Sequence, residues 1–333
     1  MKSISGRKML LPVAVLSLFV LITACEPSLQ AFKGASITQQ AQNAVDVLPS
    51  NVSYVGMLNT QELKENSFTD VMSNDLLENN DAEEAMARLE DFIEATGFDP
   101  YEDMKEIYVA MDDVGSDGNP EISAVAYASI DPELLTTYVQ EEVGNELTLR
   151  SYRGVDVFEI DEEGAPSFSF VNEDMIIAAS TSSLLENMID RLEGEGTSLS
   201  DNGEMMGLVS QATAGQSAWM IAKKPENSNV RSSNAANDFQ EQAEQIWTAI
   251  DYAVMALNIE SDGLDGQVFF YPNENVSADD LSSLMNGMVA LAKANPDLED
   301  KALDMLDDIR AKSSGDHVQI GMFVENEMLE EIK

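Results

Sequence analysis

Residues 106–130 constrain the fold more than any other stretch of the sequence. Ile107, Val109 and Met111 alternate with other residues, the segment DDVGSDGNPE follows, and ISAVAYASI resumes an alternating pattern. Successive strand side chains point to opposite faces, so alternation of period two marks a half-buried strand. A run of Asp, Gly and Pro between two such strands marks a hairpin with a long turn. A chain with this unit inside it folds around antiparallel sheet.

The same grammar recurs along the chain. LPSNVSYVGML places a turn at Pro49 and Asn51 and a strand over 52–58. TLRSYRGVDVFEI, SFSFV and MIIAAS, the last two separated by the turn NED, read as further antiparallel strands. SAWMIA, then VMALNI and QVFFY around the loop ESDGLDG, then HVQIGMFV supply the rest. Between them lie apolar residues at helical spacing. A helix over 82–96 carries Met86, Leu89, Ile93 and Thr96 on one face and stops at Gly97. Asp131 and Pro132 open another that ends before Gly144. Ser183 and Glu186 have capping-box spacing ahead of Leu185, Met188, Ile189 and Leu192. A helix over 234–250 shows Ala236, Phe239, Ala243, Ile246, Trp247 and Ile250 on one side. Ser277 with Asp280 opens a helix bearing Leu281, Leu284, Met285 and Met288, and Asn295-Pro296 opens one bearing Leu298, Ala302, Met305, Leu306 and Ile309. A short acidic helix ends the chain.

Both halves thus run strand, helix, strand, strand, helix, strand. The expected fold class is α+β: two related modules of antiparallel sheet with packed helices, in the β-α-β-β-α-β order of the ferredoxin-like arrangement. The expected divisions are a signal peptide over 1–24, a tether over 25–46, a first module over 47–215 and a second over 216–333.

Charge decides which classes of partner to consider. The chain has 61 acidic and 18 basic residues, a net charge of −43. Nucleic-acid binding needs Lys and Arg against phosphates, which this balance denies. Disorder is excluded by a hydrophobic content of 44% and by the periodicities above. Two readings stay open. One is a folded protein adapted to high salt, whose surface acids keep it soluble while ions screen their repulsion. The other is an acidic surface made for cationic partners.

The first 25 residues bear on location. Lys2, Arg7 and Lys8 precede MLLPVAVLSLFVLI, which is uncharged, and small residues follow at 23 and 24. That is the pattern of a signal peptide. The apolar run is shorter than the ~18–20 residues of a spanning helix. Its end, Leu21-Ile22-Thr23-Ala24-Cys25, resembles the lipobox of bacterial lipoproteins. The resemblance implies a diacylglyceryl group on the Cys25 sulfur, cleavage between Ala24 and Cys25, and acylation of the new amino group. Cys25 is the only cysteine, so the mature chain has no disulfide within itself.

A longer segment, SYRGVDVFEI with SFSFVNEDMIIAASTSSLLENMIDRLEG, resembles a recurrent stretch of acidic envelope proteins of halophile-type bacteria. A Y-x-G-x-x-V-[YF] strand is loosely matched from Tyr152 to Phe158, and a D-x-hydrophobic…S strand from Asp174 to Ser180. The resemblance implies kinship of fold over about residues 48–260 and no catalytic residue.

Candidate chemistry is sparse. His317 is the only histidine, and its phase in HVQIGMFV puts it with Gln319 and Gly321 on the wetter side of a strand. No G-x-S-x-G elbow occurs, since GQSAW breaks the pattern at Trp219. One histidine and one cysteine cannot make a usual zinc set. Asp112, Asp113 and Asp117 are weak candidates for calcium, in a loop that lacks the EF-hand spacing. The 18 methionines fall mostly at helix-core positions, as gap fillers rather than copper ligands. No phosphate-binding glycine loop is present, and no cofactor is expected. The sequence therefore reads as a lipid-anchored extracytoplasmic envelope protein, a non-enzymatic binding or scaffolding module. The expected partners are the membrane, reached through Cys25, and an envelope protein or small ligand. Alternatives are a hydrolase using carboxylates alone and a low-affinity cation-binding module.

Overall fold

A computed structural model describes residues 37–65, 89–112, 120–144, 147–160, 165–212, 216–224, 245–260, 263–294 and 309–325. The predicted helix over 296–309 and the C-terminal helix fall largely or wholly outside these residues, as do Ala24, Cys25, Asp113 and Asp117.

The strand order is β11-β12-β10 in one part of the chain and β9-β8-β1-β2-β3-β7-β6-β5-β4 in the other. In chain order they are β1 Tyr54–Asn59, β2 Met104–Asp112, β3 Glu121–Ala128, β4 Leu147–Tyr152, β5 Val155–Ile160, β6 Ser167–Asn172, β7 Met175–Ala179, β8 Ala218–Lys223, β9 Ile250–Glu260, β10 Gly263–Pro272, β11 Lys312–Ser314 and β12 His317–Glu325. The helices that concern the argument are α1 Gln39–Val47, α2 Thr60–Glu65, α3 Pro100–Asp103, α4 Pro132–Val143, α5 Ser182–Leu192, α6 Gly203–Ala212 and α7 Ala278–Lys293.

This order overturns the expectation of two ferredoxin-like modules. In that arrangement the first and second strands of each module run parallel with a third strand between them. Here β1 pairs directly and antiparallel with β2, from Tyr54↔Met111 to Asn59↔Glu106. Strands β4 to β7 follow one another as a meander, each antiparallel to the last. The other neighbour of β1 is β8, again antiparallel. The repeated string of element types was real, but a string does not fix which strands pair. Short connections join β4 to β5, β5 to β6 and β6 to β7, while β1–β2, β1–β8 and β3–β7 pair strands distant in sequence.

The chain divides into two compact units. One is built from the described residues within 30–228 and 252–261, the other from those within 229–251 and 262–332.

In the first unit, α1 begins at an N-cap, Thr38, whose Oγ1 accepts from the Ala41 N–H at 3.1 Å. Ala41, Ala44, Val45 and Val47 are buried, so the helix is anchored where a tether was expected. It packs on α5 and β3. Asp131 caps α4 as its sequence predicts, accepting from Glu133 and Leu134 at 3.0 and 3.2 Å. The cap of α5 is Thr181 rather than Ser183, accepting from the Leu184 N–H at 3.2 Å. Residues 89–96 are helical as expected. Tyr152 and Val155 flank a two-residue turn in which Arg153 and Gly154 both have positive φ, 51° and 83°. That is the φ requirement of a type I′ hairpin turn, whose twist suits antiparallel strands.

In the second unit, the helical residues 245–249 give way to β9 at Ile250, which ends that helix one residue earlier than its apolar spacing implied. Helix α7 starts at Ser277, whose Oγ accepts from the Asp280 N–H at 3.1 Å, as predicted. Its Leu281 and Met285 are buried.

Candidate functional site

Directly opposed residues of an antiparallel pair point to the same face, so the registers sort the sheet of the first unit into two surfaces. One surface carries Val55, Tyr108, Ala110, Val125, Tyr127, Ile177, Trp219 and Ile221, all buried. Here Tyr108 donates to Glu106 Oε2 at 2.7 Å and Tyr127 to the Gln40 carbonyl at 3.1 Å. Burial, reinforced by the Glu106 charge, raises both phenols, Tyr127 to about 12. At neutral pH both stay protonated and act as hydrogen-bond donors. The Trp219 indole N–H and the Ser169 hydroxyl are buried there without a hydrogen-bond partner. This is a packed interior, closed by α1 and α5.

The opposite surface is the candidate site. Leu58 lies opposite Ile107, and Gly56 opposite Val109. Val109 lies opposite Ala124, and Met111 opposite Ile122. Ala124 continues to Ala178. On the other flank Gly56 meets Met220 and Leu58 meets Ala218. Those two meet Met255 and Leu257 on β9. None of these side chains is charged, in a chain with 61 acids. Leu58, Val109 and Ile122 are 36%, 39% and 40% exposed. Toward β6 this surface gains cover: Phe170 and Ile176 pack against a cluster of Phe98, Ala128, Ile130 and Leu135. The open part runs across β9, β8, β1, β2 and β3. With ~4.8 Å between strands and ~14 Å along three same-face residues, it measures roughly 270 Å². That is near the low end of the largest apolar patch on a typical monomer, about 300–600 Å², which is itself often functional. The alanines and Gly56 keep it shallow, so another surface can approach closely.

Other charged or polar groups form structural contacts. Arg150 pairs with Glu159 at 2.6 Å and Glu186 at 2.7 Å. Arg153 pairs with Asp190 and Glu195, both at 2.6 Å. Tyr152 donates to Asp190 at 3.0 Å. Burial pulls the Glu159 carboxyl up, but hydrogen bonds from Arg150 and Ser182 outweigh it and hold the group below its usual range. The Arg153 hydrogen bond lowers Glu195. These pairs fasten the β4–β5 hairpin to α5 and the turn after it.

Asp112 ends β2 and accepts from Ser53 Oγ at 3.2 Å and Asn51 Nδ2 at 3.4 Å. Among the described residues no three His, Cys, Asp or Glu side chains gather as metal ligands. His317 is not on a wet face. Its ring lies 5.4 Å from both Phe269 and Tyr271, and Nδ1 is 2.9 Å from Asp316. Gln319, of the same phase, is 7% exposed and donates to Gln267 Oε1 at 3.1 Å. Both faces of β12 are covered, which strand phase alone could not reveal. The exposed sheet face was missed in the sequence because its residues look like any core. The available signal was that β1, β2 and β3 carry apolar residues at both phases.

The first unit's sheet and this surface define a class: an open antiparallel sheet with one face closed by helices and the other covered only in part, leaving an uncharged apolar stretch. The family described as "Protein of unknown function (DUF3352)" matches residues 126–312, more than half of the chain, and the chain belongs to that family. Two solved structures resemble it in fold. "Structure of crystal form III of TP0453" is 9% identical, with a TM-score of 0.50 over 87% of this chain and 96% of that one. "Structure of crystal form IV of TP0453" is 9% identical, with a TM-score of 0.49 over 89% and 96%. No curated protein matches the chain. Among the described residues, no helix is long and apolar enough to cross a membrane.

Proposed function

We propose that this is a lipid-anchored, extracytoplasmic envelope protein, held to the membrane through Cys25, that works as a binding or scaffolding module in high salt. The observation that carries the binding role is the uncharged sheet face around Leu58, Val109 and Ile122. Burying apolar surface yields about 25 cal/mol per Å², and salt that weakens charge contacts leaves this term intact. A partner that docks there therefore holds on at high ionic strength. The acidic body of the protein would favour a partner whose flanks are cationic.

The test is co-purification from intact membranes in molar salt, comparing the wild-type chain with Cys25→Ser and with Val109→Glu/Ile122→Glu. The expected result is that Cys25→Ser leaves the membrane fraction or retains an uncut leader. The double variant stays in the membrane and loses the bound protein. Cys25→Ser processed and retained like wild type contradicts the anchor. The same proteins bound to wild type and to the double variant contradict the docking face.

A further inference from the structure

β4 ends the strand order of the first unit and, among the described residues, pairs with β5 alone. The two-residue turn at Arg153 and Gly154 decides which of its backbone groups are left over. In such a hairpin the residues flanking the turn exchange hydrogen bonds, and bonded pairs then alternate along the strands. Tyr152, Arg150 and Thr148 therefore direct their N–H and C=O groups to β5, and those of Leu147, Leu149 and Ser151 point out from the edge of the sheet. Natural sheets guard such edges with short strands, lysines, prolines or bulges. β11, the last strand of the second unit, follows that rule with three residues beginning at Lys312. β4 does not: it is six residues long, its register with β5 is unbroken, and it holds no Lys or Pro. Its one charge, Arg150, is already paired within the chain with Glu159 and Glu186.

The side chains show what fits this edge. Phe168 lies opposite Phe158, and Phe158 opposite Leu149. Phe158 is buried and stacks on Phe168 at 5.0 Å, yet Leu149 is 47% exposed. An apolar row thus runs off the edge of the sheet. We propose that β4 pairs antiparallel with β4 of a second copy of this chain, about a two-fold axis at Leu149. The outward groups of the two Leu149 residues then bond each other, and Ser151 of each copy bonds Leu147 of the other, about six hydrogen bonds in all. The register is self-complementary. The row Phe168-Phe158-Leu149 continues as Leu149-Phe158-Phe168 of the second copy. Arg150 meets Thr148, so no like charges stand directly opposite, and β4 brings no carboxylate to the seam. An axis at Leu147 or at Ser151 would instead set Leu149 against Asn145 or Arg153. Each chain carries a net charge of −43, so molar salt favours the pairing by screening the repulsion between the two bodies.

Thiol crosslinking of the purified full chain in molar potassium chloride tests both the pairing and its register. Directly opposed Cβ atoms stand ~4.5–5.5 Å apart. Position 151 of one copy lies four residues along from position 151 of the other, about 14 Å away. Leu149→Cys should therefore give a dimer with a short crosslinker, and Ser151→Cys alone should give none. A mixture of Ser151→Cys and Leu147→Cys chains should link one to the other. The wild-type chain, whose only cysteine is Cys25, is the control. Adding Ser151→Pro to Leu149→Cys removes an N–H that faces away from β5, so it should keep the thermal melt of its parent and lose the dimer. Should the proline lower the melt, the pattern from the cysteine variants decides alone. No dimer from position 149, equal yields from 149 and 151, a dimer that survives Ser151→Pro, or a crosslink to a different protein in place of the second copy would each overturn the proposal.

Discussion

Arg153 shows at a single residue how this chain places its few cations. Its φ of 51° lies where only glycine is comfortable, at a cost of roughly 1 kcal/mol. The turn between β4 and β5 imposes that conformation, and the ion pairs with Asp190 and Glu195 offset it. Two substitutions separate the opposing effects. Arg153→Ala keeps the strained backbone and loses both pairs, so it should be the least stable of the three. Arg153→Gly loses the pairs but relieves the strain, and should fall between alanine and wild type. Chemical denaturation of the three proteins checks the order wild type, Gly, Ala. An alanine variant as stable as the glycine variant would show that the turn stores no strain.

Secondary elements are where the sequence was most and least informative. The β2–β3 hairpin, the Asp131 cap of α4 and the Ser277 cap of α7 were legible, because alternation and capping chemistry act over a few residues. The cap of α5 moved from Ser183 to Thr181 because both residues can cap and only the end of β7 decides between them. The pairing of β1 with both β2 and β8 was not legible. Nothing local to YVGMLN names its neighbours. The apolar site shared that fate: Val109 was one of the alternating residues that marked a half-buried strand, and only the register put it with Ile122 on a face that no described helix fully covers. At this scale the Arg150 pairs hold hairpin to helix, and they carry a pH signature. Glu159 titrates below its unfolded value of 4.5. Its contribution is therefore complete above that value and is lost as pH falls through the lower, folded one. Thermal melts should show Glu159→Gln about 0.5–1 kcal/mol less stable than wild type at neutral pH. That gap should close as pH falls through the lowered, folded value. A gap independent of pH would mean that Glu159 acts through packing rather than charge.

Over the whole molecule, charge sets the conditions in which the fold is stable. A net charge of −43 brings surface carboxylates within a Debye length of one another in dilute salt. That length is about 10 Å at 0.1 M and about 3 Å at 1 M. A few tenths of a kcal/mol of repulsion per acid, summed over dozens, is comparable to the ~5–15 kcal/mol net stability of a domain. The melting temperature should therefore rise steeply from about 0.1 to 2 M potassium chloride. A flat profile would replace adaptation to salt with an acidic surface kept for cationic partners.

Across such a highly charged body, the proposed docking surface is the uncharged sheet face that the described residues of β9, β8, β1, β2 and β3 form. Site-specific photocrosslinking in the membrane-anchored chain tests this most directly. The crosslinker is placed at Val109 in one protein and at Thr137, on the exposed side of α4, in another. The account predicts one discrete crosslinked partner from position 109 that persists in molar salt, and none from position 137. No crosslink at 109, or the same products from both positions, would contradict it.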